Sequence, residues 1–230
     1  MHVYNNKNLN KVRVWDLPTR VFHWALLLCI TGLAITGSVG GSAMIWHFRF
    51  GYFVLTLLLF RIIWGLAGGR WSRFGAFIYA PQSLIKYLKG QGKLEHGVGH
   101  SPVGALSVFA LLGVLLAQVG TGLLSDDEIS FAGPLTRFVS NATVSLATNY
   151  HTAIGKWLLL GLVVLHIAAI LFYLYRKHNL VLAMLHGDKN LVVAVPPSRD
   201  DALSRMAALL ILWACAALAY WVFSLGAQAF

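Results

Sequence analysis

Two of the nine histidines, His151 and His166, fall inside one hydrophobic run from Tyr150 to Tyr175, with Lys156 the only formally charged residue between them. As a helix, this fifteen-residue spacing spans about 22 Å, most of the roughly 30 Å hydrocarbon core of a bilayer. Fifteen steps of about 100° leave the rings about 60° apart around the axis, so both can face one bundle interior. Ionisable side chains at membrane depth are costly and point to function. Imidazoles at two depths imply two metal or haem sites, one near each membrane surface. Interhelical hydrogen bonding or a proton relay is the competing reading of the same residues. The only cysteines are Cys29 and Cys215, and no CxxCH, zinc or iron–sulfur spacing exists, so a haem would be held non-covalently.

The elements that must carry these histidines are membrane spans. Of 230 residues, 58% are hydrophobic and 11% charged, with mean hydropathy +0.69, too apolar for a soluble domain of this size. The formal charge of +10 is assigned to loops at a lipid surface; no nucleic-acid motif accompanies it. The expected spans are Pro18–Thr36, Trp46–Ala67, Pro102–Leu124, Tyr150–Tyr175 and Arg205–Leu225. Asp16 and Pro18 mark the first helix start, Ser101 caps the third, and residues 81–89 suit a short interfacial helix. The first span lacks a convincing cleavage site and reads as retained. The expected class is an all-α membrane protein: a four-helix transmembrane haem-binding bundle plus a fifth transmembrane helix. Its segments are residues 1–16 (cytoplasmic), 17–178 (dihaem core), 179–204 (cytoplasmic linker) and 205–230 (fifth helix), with 125–149 a polar loop. Basic residues cluster before helix 1 and in the connections after helices 2 and 4, which predicts a cytoplasmic N-terminus and an outer C-terminus.

That topology gives each histidine a depth. His23 lies near the cytoplasmic face and His47 at the outer face, while helix 4 puts His151 outside and His166 deep inside. Depth matching pairs His47 with His151 and His23 with His166, each pair a natural bis-histidine haem site in a bundle core. Helix 4 thus becomes the post shared by both sites. Cations fall where haem propionates need them: Arg20 one turn before His23, and Arg61 roughly 21 Å deeper than His47 and within about 40° of its face. Arg61 is deep enough to need an anionic partner. Arg49 and Lys156 lie near the outer pair, with snorkelling to headgroups an equal alternative. His2, His178 and His186 belong to polar segments. His100 lies near the inner pair and suits a haem or quinone contact or an interfacial hydrogen bond, and His96 precedes it. Trp15, Trp46, Trp71, Tyr150 and Trp157 read as an interfacial belt. No residue is assigned to bond making.

Several stretches together are distinctive. Residues 13–24 (RVWDLPTRVFHW), with Ala34-Ile-Thr-Gly37, resemble the first helix of prokaryotic cytochromes b561. His47-Phe-Arg-Phe-Gly51, Arg61-Ile-Ile-Trp-Gly65, Gly99-His-Ser-Pro-Val-Gly104, His151-Thr-Ala-Ile-Gly155 and Leu165-His166 support this over roughly residues 11–190. The family includes b-type subunits of nickel–iron hydrogenases and superoxide-oxidising cytochromes. The resemblance implies two b haems on histidines of helices 1, 2 and 4, matching His23, His47, His151 and His166, with electrons passing across the membrane to or from quinone. Some relatives space the two helix 4 histidines one residue closer, a difference that either a tilt of the haem or a local bulge would absorb.

The resulting expectation is a dihaem b-type cytochrome of the bacterial inner membrane, linking the quinone pool to a periplasmic or membrane redox partner. Closed ligation favours outer-sphere electron transfer over oxygen activation. The acidic loop Asp126–Glu128 is an expected docking surface for a basic periplasmic cytochrome c, by charge complementarity. Other readings are a superoxide:quinone oxidoreductase, a membrane-anchor subunit of a hydrogenase or dehydrogenase, and a transporter with a histidine proton relay. Lipid and quinone are expected partners in any redox reading.

Overall fold

A computed structural model describes residues 10–227; residues 1–9 and 228–230, with His2 and Lys7, lie outside the described residues. The helices are α1 (Leu17–Val39), α2 (Met44–Ala67), α3 (Pro81–Leu88), α4 (Pro102–Gly122), α5 (Asn141–Asn149), α6 (Lys156–Tyr175), α7 (Leu180–His186) and α8 (Ala202–Ala227). A π-helical turn, Tyr150–Gly155, joins α5 to α6. Five helical stretches are long and apolar enough to span a membrane, and the chain is a multi-pass all-α membrane protein. The connections at the end that carries the N-terminus are rich in Arg and Lys; Asp126, Asp127 and Glu128 lie at the other. These are called the basic and acidic ends below.

Asp16 shows how a short sequence signal sets a helix entry. Its side chain caps α1 by accepting from Thr19 N at 2.9 Å, with Pro18 filling the first turn. The same buried carboxylate accepts from Trp64 Nε1 at 3.1 Å and Ser72 Oγ at 2.5 Å. One side chain therefore fastens the start of α1 to the end of α2. Gly69 has to lack a Cβ because that atom would overlap the carboxylate.

The fourth span differs from the expectation that 125–149 is a loop. Helix runs without interruption from Asn141 to Tyr175, opened by Ser140 accepting from Thr143 N at 3.3 Å. Residues 141–149 are polar but uncharged, so the helix continues past the apolar stretch at little cost. The remaining loop folds on itself: Asp127 Oδ1 accepts from the backbone N–H of Ile129, Ser130 and Phe131. Those bonds hold the Asp127 carboxyl below its ordinary value.

The bundle centre is α2, where Val54, Leu57, Leu58, Phe60, Arg61 and Trp64 are all buried; α6 is mostly exposed to the lipid side. The helix expected to be the shared post is therefore the outermost of the four that carry or seat the histidines. Helix α2 packs along α1, α4 and α8, and α6 packs along α4. Among the described residues, α6 forms no extended packing with α1 or α2. Helix α8 lies against α2 through buried Ala208, Cys215 and Ala219, small side chains that allow close approach in a membrane.

Residues 10–16 of the expected N-terminal segment and the expected linker, residues 179–204, form a structured cover. Strand β1 (Asn10–Arg13) pairs antiparallel with β2 (Asp188–Leu191). Arg13 binds Asp188 at 2.6 Å and Asp200 at 3.0 Å, and Arg205 binds Asp200 at 3.0 Å. Burial pushes the Asp200 carboxyl up, but hydrogen bonds from Arg205 and Leu17 N–H, with Arg13 beside it, hold it below its ordinary value. Trp15, expected in the interfacial belt, is instead buried under this cover against the His100 ring at 4.7 Å. It lies beside the strand pair, whose packing overrides its interfacial preference. Trp46 and Trp157 are exposed, as a belt requires.

Candidate functional site

The four singled-out histidines meet in the expected pairs. His47 of α2 faces His151 of the π turn with ring centres 6.1 Å apart and planes at 90°. His23 of α1 faces His166 of α6 at 6.5 Å and 51°. With a metal–nitrogen bond of about 2 Å and the nitrogen about 1 Å from its ring centre, two imidazoles on opposite sides of one metal have centres about 6 Å apart. Both pairs sit between helices that do not pack closely on each other. The donor set and the spacing fit a metal held by one imidazole from each side of a pair.

The pair at the acidic end is held by matching seats. His47 Nδ1 lies 3.2 Å from the Leu33 carbonyl, and Gly37 stands one turn beyond that carbonyl. His151 Nδ1 lies 2.8 Å from the Gln118 carbonyl, and Gly122 stands one turn beyond. A Cβ on Gly37 would come within 3.0 Å of His47 Cε1, and one on Gly122 within 2.8 Å of His151 Cε1. Each glycine therefore opens a carbonyl to an imidazole. A neutral ring that donates through Nδ1 carries its proton there and leaves the Nε2 lone pair free, the form that ligates a metal through Nε2. A threonine precedes each glycine, and Thr36 and Thr121 hydroxyls each bond back to the carbonyl four residues earlier at 2.7 Å. This repeated Thr-Gly near two helix ends was the available sequence signal for the seats.

The π turn contains His151 and precedes His166, and it takes up one residue of their spacing. Their directions then correspond to fourteen α-helical steps, about 40° apart rather than about 60°.

The pair at the basic end has different surroundings. His23 Nδ1, Arg61 Nη1, Arg20 Nε and His100 Nδ1 are buried without a hydrogen-bond partner among the described residues. Arg61 is 3% exposed and makes no ion pair among the described residues; its guanidinium lies 4.7 Å from the Phe74 ring centre and 6.0 Å from that of Phe22. A buried cation without a direct ion-pair partner is costly, so the orphaned Arg61 and Arg20 donors fit an anionic group such as a carboxylate. Arg20 is partly engaged: Nη1 donates to the Leu185 carbonyl at 2.6 Å and Nη2 lies 3.9 Å from Asp200. His100 sits between Trp15 and Phe77, ring centres 4.7 and 4.4 Å away. Burial, with Arg61 and Lys189 nearby, pushes its imidazole down to about 3. Tyr79 donates to its carbonyl at 2.8 Å.

The remaining two expected cations are placed elsewhere. Arg49 stacks over Trp46 at 4.7 Å and lines a groove between α2 and α8 with Tyr52, Tyr220 and Phe223. Lys156 is exposed over Trp157 at 5.1 Å. His178 and His186 are exposed, as expected of polar segments.

Four spanning helices that carry or seat two facing imidazole pairs, with a fifth packed against α2, define a membrane protein of the cofactor-binding bundle class. The chain belongs to the prokaryotic cytochrome b561 family, which it matches over residues 14–187. Membership implies a b-type haem. Similar proteins include a probable Ni/Fe-hydrogenase 1 B-type cytochrome subunit of Escherichia coli, 25% identical over 187 residues covering 67% of this chain and 80% of the relative. Probable Ni/Fe-hydrogenase B-type cytochrome subunits of Cupriavidus necator and Rhodobacter capsulatus are each 25% identical over 218 residues. They cover 80% and 77% of this chain and 89% and 81% of the relatives.

Proposed function

We propose that the chain is a dihaem b-type cytochrome of the bacterial inner membrane, carrying electrons across the bilayer between the quinone pool and a second redox partner. The observation that carries this reading is the presence of two facing imidazole pairs, 6.1 and 6.5 Å between ring centres, at opposite ends of one bundle. His47 and His151 would bind one haem, and His23 and His166 the other. Bound b-type haem supplies a one-electron iron couple. The chain's own contribution is positional and electrostatic. Seats at the Leu33 and Gln118 carbonyls fix two rings with Nε2 free. Arg61 and Arg20 supply positive charge for the carboxylates of the haem at the basic end. Two imidazoles per iron leave no open position for oxygen, which favours outer-sphere electron transfer.

The excess of Arg and Lys in the basic-end connections supports a cytoplasmic basic end. A dehydrogenase subunit is the partner best supported, because the similar proteins named above are subunits of Ni/Fe hydrogenases. A cytochrome c partner has less support, since Asp127 spends its carboxylate on its own loop. The test is purification from a haem-replete membrane followed by haem quantitation and quinol-driven reduction. Two haems per chain and rapid reduction are expected; a chain without a Soret band ends the proposal.

A further inference from the structure

Gln118 meets His151 twice. Its backbone carbonyl accepts from Nδ1 at 2.8 Å, and its side-chain Nε2 donates to the His151 carbonyl at 2.8 Å. His151 lies inside the Tyr150–Gly155 π turn, where hydrogen bonds run one residue further than in an α-helix. A turn that takes in an extra residue leaves a carbonyl outside the helical ladder, and buried carbonyls need a donor from elsewhere. The Gln118 amide reaches one within that turn. Gly155 makes this possible: a Cβ there would overlap Gln118 Oε1 and come within 2.6 Å of the Tyr150 ring. Gln118 Oε1 is itself buried and unpartnered. The amide orientation is nevertheless fixed, because a flip would set Oε1 against the His151 carbonyl.

We infer that Gln118 is the positioning residue for His151: a two-point clamp from α4 that stabilises the π turn and sets the depth, rotation and tautomer of the imidazole. The inference rests on the reading of His151 as an iron ligand. It explains how the fifteen-residue spacing is tolerated, since the clamp holds the extra residue at the one place where it turns the ring toward His47. The perpendicular planes of this pair, 90° against 51° for the other, are the geometric signature that the clamp maintains.

The test uses the full-length purified cytochrome with Gln118→Met, which keeps bulk but removes the donor, and Gly155→Ala, which displaces the amide from the other side. Three readouts are taken: electron paramagnetic resonance of the ferric low-spin haems, the midpoint potential of each haem, and hydrogen exchange of the 150–155 amides. Both variants are expected to shift the resonance and potential of the haem that His151→Ala removes and to leave the other haem unchanged. The Gln118 backbone carbonyl still accepts from Nδ1 in Gln118→Met, so affinity for that haem should fall only about tenfold, the low end of the range for disturbing the support of a metal-ligating histidine, and exchange across the turn should accelerate about tenfold. Retention of wild-type resonance, potential and exchange in Gln118→Met overturns the clamp. If His151→Ala keeps both haems, the ligand reading has failed instead, and the exchange rates alone then decide whether Gln118 holds the turn.

Discussion

Replacement of Gly122 by alanine should remove one haem and spare the other. In an exposed helix this change is favourable by roughly 0.8–1 kcal/mol, so a loss must come from the site. The new Cβ would stand 2.8 Å from His151 Cε1 and 3.1 Å from Nδ1. Ordinary carbon contacts begin about 0.6 Å further out, and a ring displaced by that amount stretches its 2.8 Å bond to the Gln118 carbonyl past hydrogen-bonding length. Overpacking of this kind costs about 1–3 kcal/mol, and the lost bond adds about 1 kcal/mol. The sum, about 2–4 kcal/mol, corresponds to a roughly 30–1,000-fold loss of affinity at that site, at or above the range of about 10–100-fold found when partners of metal-ligating histidines are removed. Haem titration into apoprotein, followed by the reduced-minus-oxidised spectrum, measures it directly. Gly120→Ala is the control, since a Cβ there meets nothing within 4 Å, and it should keep both haems. If Gly122→Ala binds both haems with wild-type affinity, the seat described for His151 is wrong.

Three further outcomes follow from the same structure. Arg61→Gln should lower the potential of the basic-end haem, because removing a nearby cation favours the ferric form; a unit charge about 8 Å away at an effective dielectric near 20 is worth about 2 kcal/mol. Potentiometric titration checks it, and an unmoved potential refutes the propionate role. Asp16→Ala removes an N-cap, worth about 1 kcal/mol, and orphans the buried Trp64 and Ser72 donors at about 1–3 kcal/mol each. Its melting temperature in detergent should fall sharply, whereas Arg199→Ala, at an exposed ion pair, should change it little. Lys189, whose Nζ donates to the Val98 carbonyl at 2.8 Å, is pushed by burial from 10.5 down to about 8. Between those values the unfolded chain binds the extra proton, so this group makes stability rise with pH from about 8 to 10.5. Melting curves across that window should show a positive slope that Lys189→Met abolishes.

The spans and the histidine pairing were legible because hydropathy and charge alternation constrain a membrane chain tightly. Once each helix has a direction, a histidine's sequence position is its depth, and only depth-matched residues can meet. The parts that were not legible depend on contacts between distant segments. Nothing in Asn10–Arg13 or Asp188–Leu191 alone announces a strand; they pair because α1 and α7 bring them together. The uncharged residues 141–149 carry no apolar period, so their helix was hidden by polarity. The seats at Leu33 and Gln118 are backbone carbonyls, which any side chain would offer, and only the Thr-Gly repeat hints at them. Arg49 was read by its nearness to His47 in sequence, yet two residues along a helix turn a side chain by about 200°, and it lies toward α8 instead.

The most direct test is a redox-titrated visible spectrum of the wild type beside four single variants, His23→Ala, His47→Ala, His151→Ala and His166→Ala. The account predicts two haems in the wild type, one and the same haem missing from the His47 and His151 variants, and the other missing from the His23 and His166 variants. Any other grouping, or retention of both haems by any of the four, contradicts it.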